Sequence, residues 1–215
     1  MTRQNRRAGA RLRRLAPPAL LLGLALVVTG CPFDSGHTKA IVDLKNGTLV
    51  VLPFSTPNKS RYDTEVGATF GREVAELVHK ECPEAKVVGP EGLPMSIDGQ
   101  TLDKFAYQDL GLRLGADYLL VGEILDLRAK EPKSFKVLKG TMELAARVIN
   151  VRTESIAWET PRAVYHYPPP IAEEPIPARE KDEEVVYQKV MHQAALALLE
   201  IFTGPKTRDE QGFVK

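Results

Sequence analysis

Two stretches of the chain are apolar at almost every position, and they restrict its fold more than any other feature. Residues 48–54 read Thr-Leu-Val-Val-Leu-Pro-Phe between Gly47 and Pro57, and residues 117–125 read Asp-Tyr-Leu-Leu-Val-Gly-Glu-Ile-Leu. A strand turns successive side chains to opposite faces, so a run without polar alternation must be dry on both sides. Both stretches therefore read as interior strands, the second as the central one. Gly122 inside it predicts a bulge or a close backbone neighbour.

The intervening segments carry the other period. Val66, Phe70, Val74, Leu77 and Val78 make one helical stripe, started by Asp63 or Thr64 as cap and stopped by Pro83. Gly67 and Gly71, four apart, let this helix lie close on the sheet. Residues 85–88 form a short strand and 89–100 a loop. Residues 102–114 form a second helix, with Phe105, Leu110 and Leu114 inward and Gly115 ending it. After a charged turn at 129–134, residues 135–151 alternate in part, with Met142, Leu144, Ala146 and Val148 opposite Glu143 and Arg147. Residues 152–155 turn the chain, and 156–167 return antiparallel with Ile156 and Trp158 on one face. Pro168, Pro169, Pro170, Pro175 and Pro177, with Glu173 and Glu174, make a stiff surface loop. A last helix over 182–202 buries Val186, Val190, Ala194, Ala197 and Ile201, and Gly204-Pro205 ends it.

The expected class is α/β (α+β): a single mixed sheet in the order β-α-β-α-β-β-β-α, with the helices packed on it. The expected organisation is a lipoprotein signal peptide at 1–30, a tether at 31–46, one α/β domain at 47–203 and a disordered tail at 204–215.

The first thirty residues hold six arginines and no acid. An apolar stretch from Leu15 to Thr29 follows, shorter than the ~20 residues of a spanning helix. A basic region, a short apolar core and small residues before Cys31 make a secretory signal. The end, Leu26-Val27-Val28-Thr29-Gly30-Cys31, resembles the lipobox of bacterial lipoproteins, which implies cleavage before Cys31 and acyl chains on its thiol. An ordinary signal peptide or an uncleaved anchor is the plainer alternative. Residue 32 is Pro; in enterobacterial lipoproteins an aspartate there retains the protein on the inner membrane, so by analogy the outer membrane is favoured. Arg13-Arg14 reads as ordinary n-region charge, since Leu15-Ala16-Pro17 fits twin-arginine export poorly. Taking six arginines from 29 basic residues leaves 23 against 28 acidic ones, a net −5 that argues against nucleic-acid binding. With Cys31 acylated, Cys82 is the one cysteine left, so no intrachain disulfide forms. It has no visible base nearby and reads as structural.

Three phrases carry a resemblance: Val50-Val51-Leu52-Pro53-Phe54; the run from Leu112 to Ile124, LRLGADYLLVGEI; and the run from Leu144 to Trp158, LAARVINVRTESIAW. Together with the element order they resemble a group of bacterial lipoproteins that includes the curli-secretion lipoprotein CsgG, the penicillin-binding-protein activator LpoB and the amino-terminal domain of TolB. The resemblance covers about 48–202. It implies a fold and a periplasmic scaffold or partner-binding role, and its motifs are structural.

The search for chemistry yields no catalytic, cofactor-binding or metal residues. His37, His79, His166 and His192 lack metal-ligand spacing, and nucleophile-elbow, Walker and dinucleotide motifs are missing. Glu173-Glu174 and Glu183-Glu184 read as solvated charge runs. Trp158 and Tyr165 read as hairpin core packing, with an aromatic contact patch as the alternative. The function expected is a non-enzymatic, lipid-anchored factor that binds another envelope protein, with oligomeric state open; the Pro168–Pro177 loop is a candidate contact surface or a plain connector. The alternatives are a secretion-channel subunit of the curli type, which needs a spare amphipathic hairpin, and an envelope hydrolase.

Overall fold

A computed structural model describes residues 39–56, 61–94, 106–130, 138–170, 178–179 and 181–205. The chain divides into two units, 1–36 and 37–215, and every described residue belongs to the second. The signal segment and Cys31 lie outside the described residues, as do Phe105 and most of the proline loop.

The elements are β1 (Thr48–Val51), α1 (Arg61–Glu81), β2 (Lys86–Val88), a single 3-10 turn at Pro90–Gly92, α2 (Tyr107–Leu114), β3 (Tyr118–Lys130), β4 (Leu138–Asn150), β5 (Ser155–Tyr167) and α3 (Glu183–Thr203). They form the expected single mixed sheet, ordered β2-β1-β3-β4-β5. β1 runs parallel to β2 and β3, while β3, β4 and β5 are antiparallel neighbours.

The apolar runs do what their lack of alternation requires. Leu49 and Val51 face a large core with Phe70, Val74 and Val78 of α1 and Val190, Ala194 and Leu198 of α3. Val50 and Leu52 face a smaller core with Leu110 of α2, Leu119, Val121, Ile149 and Val151. Helices thus cover the β1 end of the sheet on both faces. Gly115 ends α2 in the left-handed region at φ 65°, which a residue without Cβ adopts without strain. Asp182 caps α3, its carboxylate accepting from the Glu184 backbone N–H at 3.0 Å.

Phe54 locks α1 onto β3. Its N–H donates to the Gly67 carbonyl at 3.2 Å, and its ring meets Phe70 edge-on at 4.8 Å. A Cβ on Gly67 would lie 1.9 Å from the Phe54 carbonyl oxygen, and one on Gly71 3.0 Å from that of Leu52. The two glycines let helix and strand meet backbone to backbone, as their spacing predicts.

Several boundaries differ from the sequence reading. α1 already contains Asp63 and Thr64, so neither caps it. β3 extends into the first two residues of the expected charged turn, to Lys130, because a register shift between Ile124 and Asp126 resets the alternation and turns Leu127 and Ala129 to the core. A second shift corrects the face of Ile156: Ile149 pairs with Ile156 and Val148 with Trp158. Ala157 is the extra residue of a bulge, so Trp158 packs against the large core while Ile156 points to the other face, 52% exposed. Residues 39–46, expected within the tether, pack onto the domain: Val42 and Leu44 are buried, and the N–H groups of Ile41 and Val42 both donate to the Ile201 carbonyl, at 2.8 and 3.0 Å. Ala197, expected buried, is half-buried on α3.

Candidate functional site

α1 and α3 cover one face of the sheet, whereas α2 covers the opposite face only near β1, the start of β3 and the end of β4. Beyond it, among the described residues, no helix lies over the outer face of β4 and β5. That face shows Glu143, Ala145 and Arg147 from β4, and from β5 Val164 and Glu159, the register partners of Glu143 and Arg147, and Ile156, the partner of the buried Ile149. Ile156 and Val164 are 52% and 47% exposed. The Arg162 guanidinium pairs with Glu143 across the strands at 2.7 Å.

A groove of about 190 Å³ crosses this face between Tyr107 at the start of α2 and Glu159, Thr160 and Pro161 of β5. Its floor consists of the small Ala145 side chain and the backbone at Gly122 and Ala146, whose Cβ positions face the large core. Ser55 sits at one end, where its N–H donates to the Gly122 carbonyl at 2.9 Å. Arg147 lies over the Tyr107 ring, 4.9 Å from its centroid.

A second, more apolar pocket of about 360 Å³ opens beside residues 39–45, between Leu44, Ala85, Phe202 and the Cys82–Pro83 end of α1. Cys82 is half-buried there and packs against the large core, as a structural cysteine does.

The remaining residues singled out from the sequence do not converge. His79 is exposed on α1; His166 lies 3.3 Å from the Thr141 hydroxyl; His192 Nδ1 is 2.8 Å from Glu73 Oε1, linking α3 to α1. His37 lies outside the described residues. Burial holds the Glu73 carboxyl above its ordinary value, partly offset by the contact with His192 and reinforced by Glu76. Glu183 forms an ion pair with Lys130, and Glu184 accepts from Gln188. Trp158 and Tyr165 both pack against the large core. Among the described residues no group of three or more His, Cys, Asp or Glu is placed to hold a metal, and no helix is long and apolar enough to cross a membrane.

No protein-family profile matches the chain, and no curated protein matches it. Solved structures do. The chain resembles a PelC dodecamer subunit from Paraburkholderia phytofirmans at 10% identity, over 74% of this chain and 90% of that one, with a TM-score of 0.47. Lipoprotein GNA1162 from Neisseria meningitidis is similar at 12% identity over 71% and 96%, TM-score 0.42. The LpoB C-terminal domain from Salmonella enterica is similar at 15% identity over 57% and 84%, TM-score 0.33. The structural neighbours thus include bacterial lipoproteins, at a looseness that transfers no function.

Proposed function

We propose that the chain is exported, cleaved before Cys31 and held at the envelope membrane, the outer rather than the inner, by acyl chains on that cysteine. There it acts by binding another envelope protein, without catalysis. The anchor supports this reading by concentrating a soluble domain near membrane partners. The observation that carries the binding role is the uneven cover of the sheet. A solvated antiparallel face normally alternates to polar residues, yet here the open face of β5 carries Ile156 and Val164 beside a groove. Strands β3, β4 and β5 each have 13 residues, more than the ~9–11 of a membrane-spanning strand. Their inner faces, however, are spent on the helices through Leu120, Met142, Leu144 and Val148. A channel would have to expose that core to lipid.

The test is site-specific photo-cross-linking in the native envelope, with the reactive residue at Val164 or, as control, at Glu76 on the exposed side of α1. A discrete adduct from position 164 and none from position 76 supports the reading. No adduct from 164, or equal adducts from both, refutes it.

A further inference from the structure

We propose that the groove on the open sheet face takes a peptide segment of the partner presenting a carboxylate next to a basic side chain; this rests on the protein-binding reading and names the chemistry of the partner at that site. Charges are left unpaired in a place where the fold could have paired them. Arg147 and Glu159 are register partners on β4 and β5, and Glu123 stands in the neighbouring row, opposite Ala145. One step along the same hairpin, Glu143 and Arg162 do pair, at 2.7 Å. Arg147 instead lies against Tyr107, 4.9 Å from the ring centroid. A ring contact satisfies none of the guanidinium N–H donors, so these are left for an acceptor. Among the described residues no side chain accepts from them, and Glu123 and Glu159 have no ion-pair partner either.

The groove therefore offers a fork for a carboxylate with a carboxylate to either side for a cation. Its floor is low because Ala145 is the small side chain there, while Gly122 and its register partner Ala146 turn to the opposite face, where the Phe54 ring fills the space at Gly122. At about 190 Å³ the space falls below the ~300–1,000 Å³ of small-molecule pockets. It suits a pair of side chains whose backbone stays outside, as in a protein contact.

The full chain is titrated into short Gly/Ser peptides bearing adjacent Glu and Lys, Glu alone, Lys alone, or neither, and peptide NMR line broadening is read. The Glu–Lys peptide is expected to bind with a Kd on the order of 1 mM or tighter, each single-charge peptide about tenfold more weakly. Arg147→Gln should abolish the preference for Glu, and Glu123→Gln with Glu159→Gln the preference for Lys, all with unchanged melting temperature. Equal binding of the uncharged peptide, or undiminished binding by Arg147→Gln, overturns the proposal. So does free glutamate plus lysine competing as well as the peptide itself. The cross-link from position 164 separates the two readings: an adduct kept at full yield in Arg147→Gln leaves partner binding standing and removes the groove, whereas no adduct in the wild type removes partner binding.

Discussion

Gly122 and Phe54 share one space: a Cβ on Gly122 would lie 2.2 Å from the Phe54 ring and 2.8 Å from the Ala145 carbonyl oxygen. The ring is packed in turn against Phe70, and the Phe54 backbone against Gly67. Gly122→Ala is expected to destabilise by about 1–3 kcal/mol, as overpacking does. Gly67→Ala should cost at least as much, because its Cβ would meet backbone rather than a movable ring. Urea unfolding midpoints measure both; an unchanged midpoint for Gly67→Ala would show that α1 can lift off the sheet, and one for Gly122→Ala that the Phe54 ring can move aside.

Asp117 ties three segments together. Its carboxylate accepts from the Thr48 N–H at 2.9 Å and from Arg152 at 3.0 Å, and its carbonyl accepts from the Val151 N–H at 2.9 Å. Asp117→Ala orphans a part-buried backbone donor and should cost about 1–2 kcal/mol. Arg152 is 83% exposed, so Arg152→Ala should change the melting temperature little. Equal losses would place the energy in the surface ion pair instead.

Residues 39–46 belong to the folded unit. Val42→Asp would bury a carboxylate among Ile201, Phe202 and their neighbours, and is expected to lower stability by several kcal/mol, on the order of the cost of an unpaired buried charge. A chain beginning at residue 47 should melt below one beginning at Lys39. Identical melting curves would return the segment to the role of tether.

Glu73 gives stability a pH dependence of definite sign. Its folded value is raised above the ordinary 4.5, chiefly by burial, so its contribution is present in full below that value and is lost as pH rises through the raised one. Glu73→Gln should therefore match the wild type near pH 4 and gain on it toward pH 7, by about 1–3 °C in Tm. Gln keeps an oxygen for His192. A gain that grows toward low pH would mean the contact with His192 outweighs burial.

The parts of the fold legible in the sequence were those written as uninterrupted patterns. The run at 48–54 and the run at 117–125 became β1 and β3 because two dry faces admit no other placement, and the Gly67–Gly71 spacing gave the close helix contact. What escaped was written across the chain. The bulge at Ala157 reverses the face of Ile156 through pairing with β4, which local alternation cannot report. Val42 and Leu44 gain their burial from α3, some 160 residues away, in a segment too polar to show a pattern. The groove is the extreme case. Tyr107, Glu123, Arg147 and Glu159 come from four elements, and only the hairpin register brings them to one surface.

The most direct measurement is the mass of the mature amino terminus, taken from protein extracted from the membrane fraction. The account predicts that it begins at Cys31 with diacylglyceryl and acyl groups on that residue, and that Cys31→Ser leaves the precursor uncleaved or the protein out of the membrane. An unmodified terminus at any other residue would contradict it.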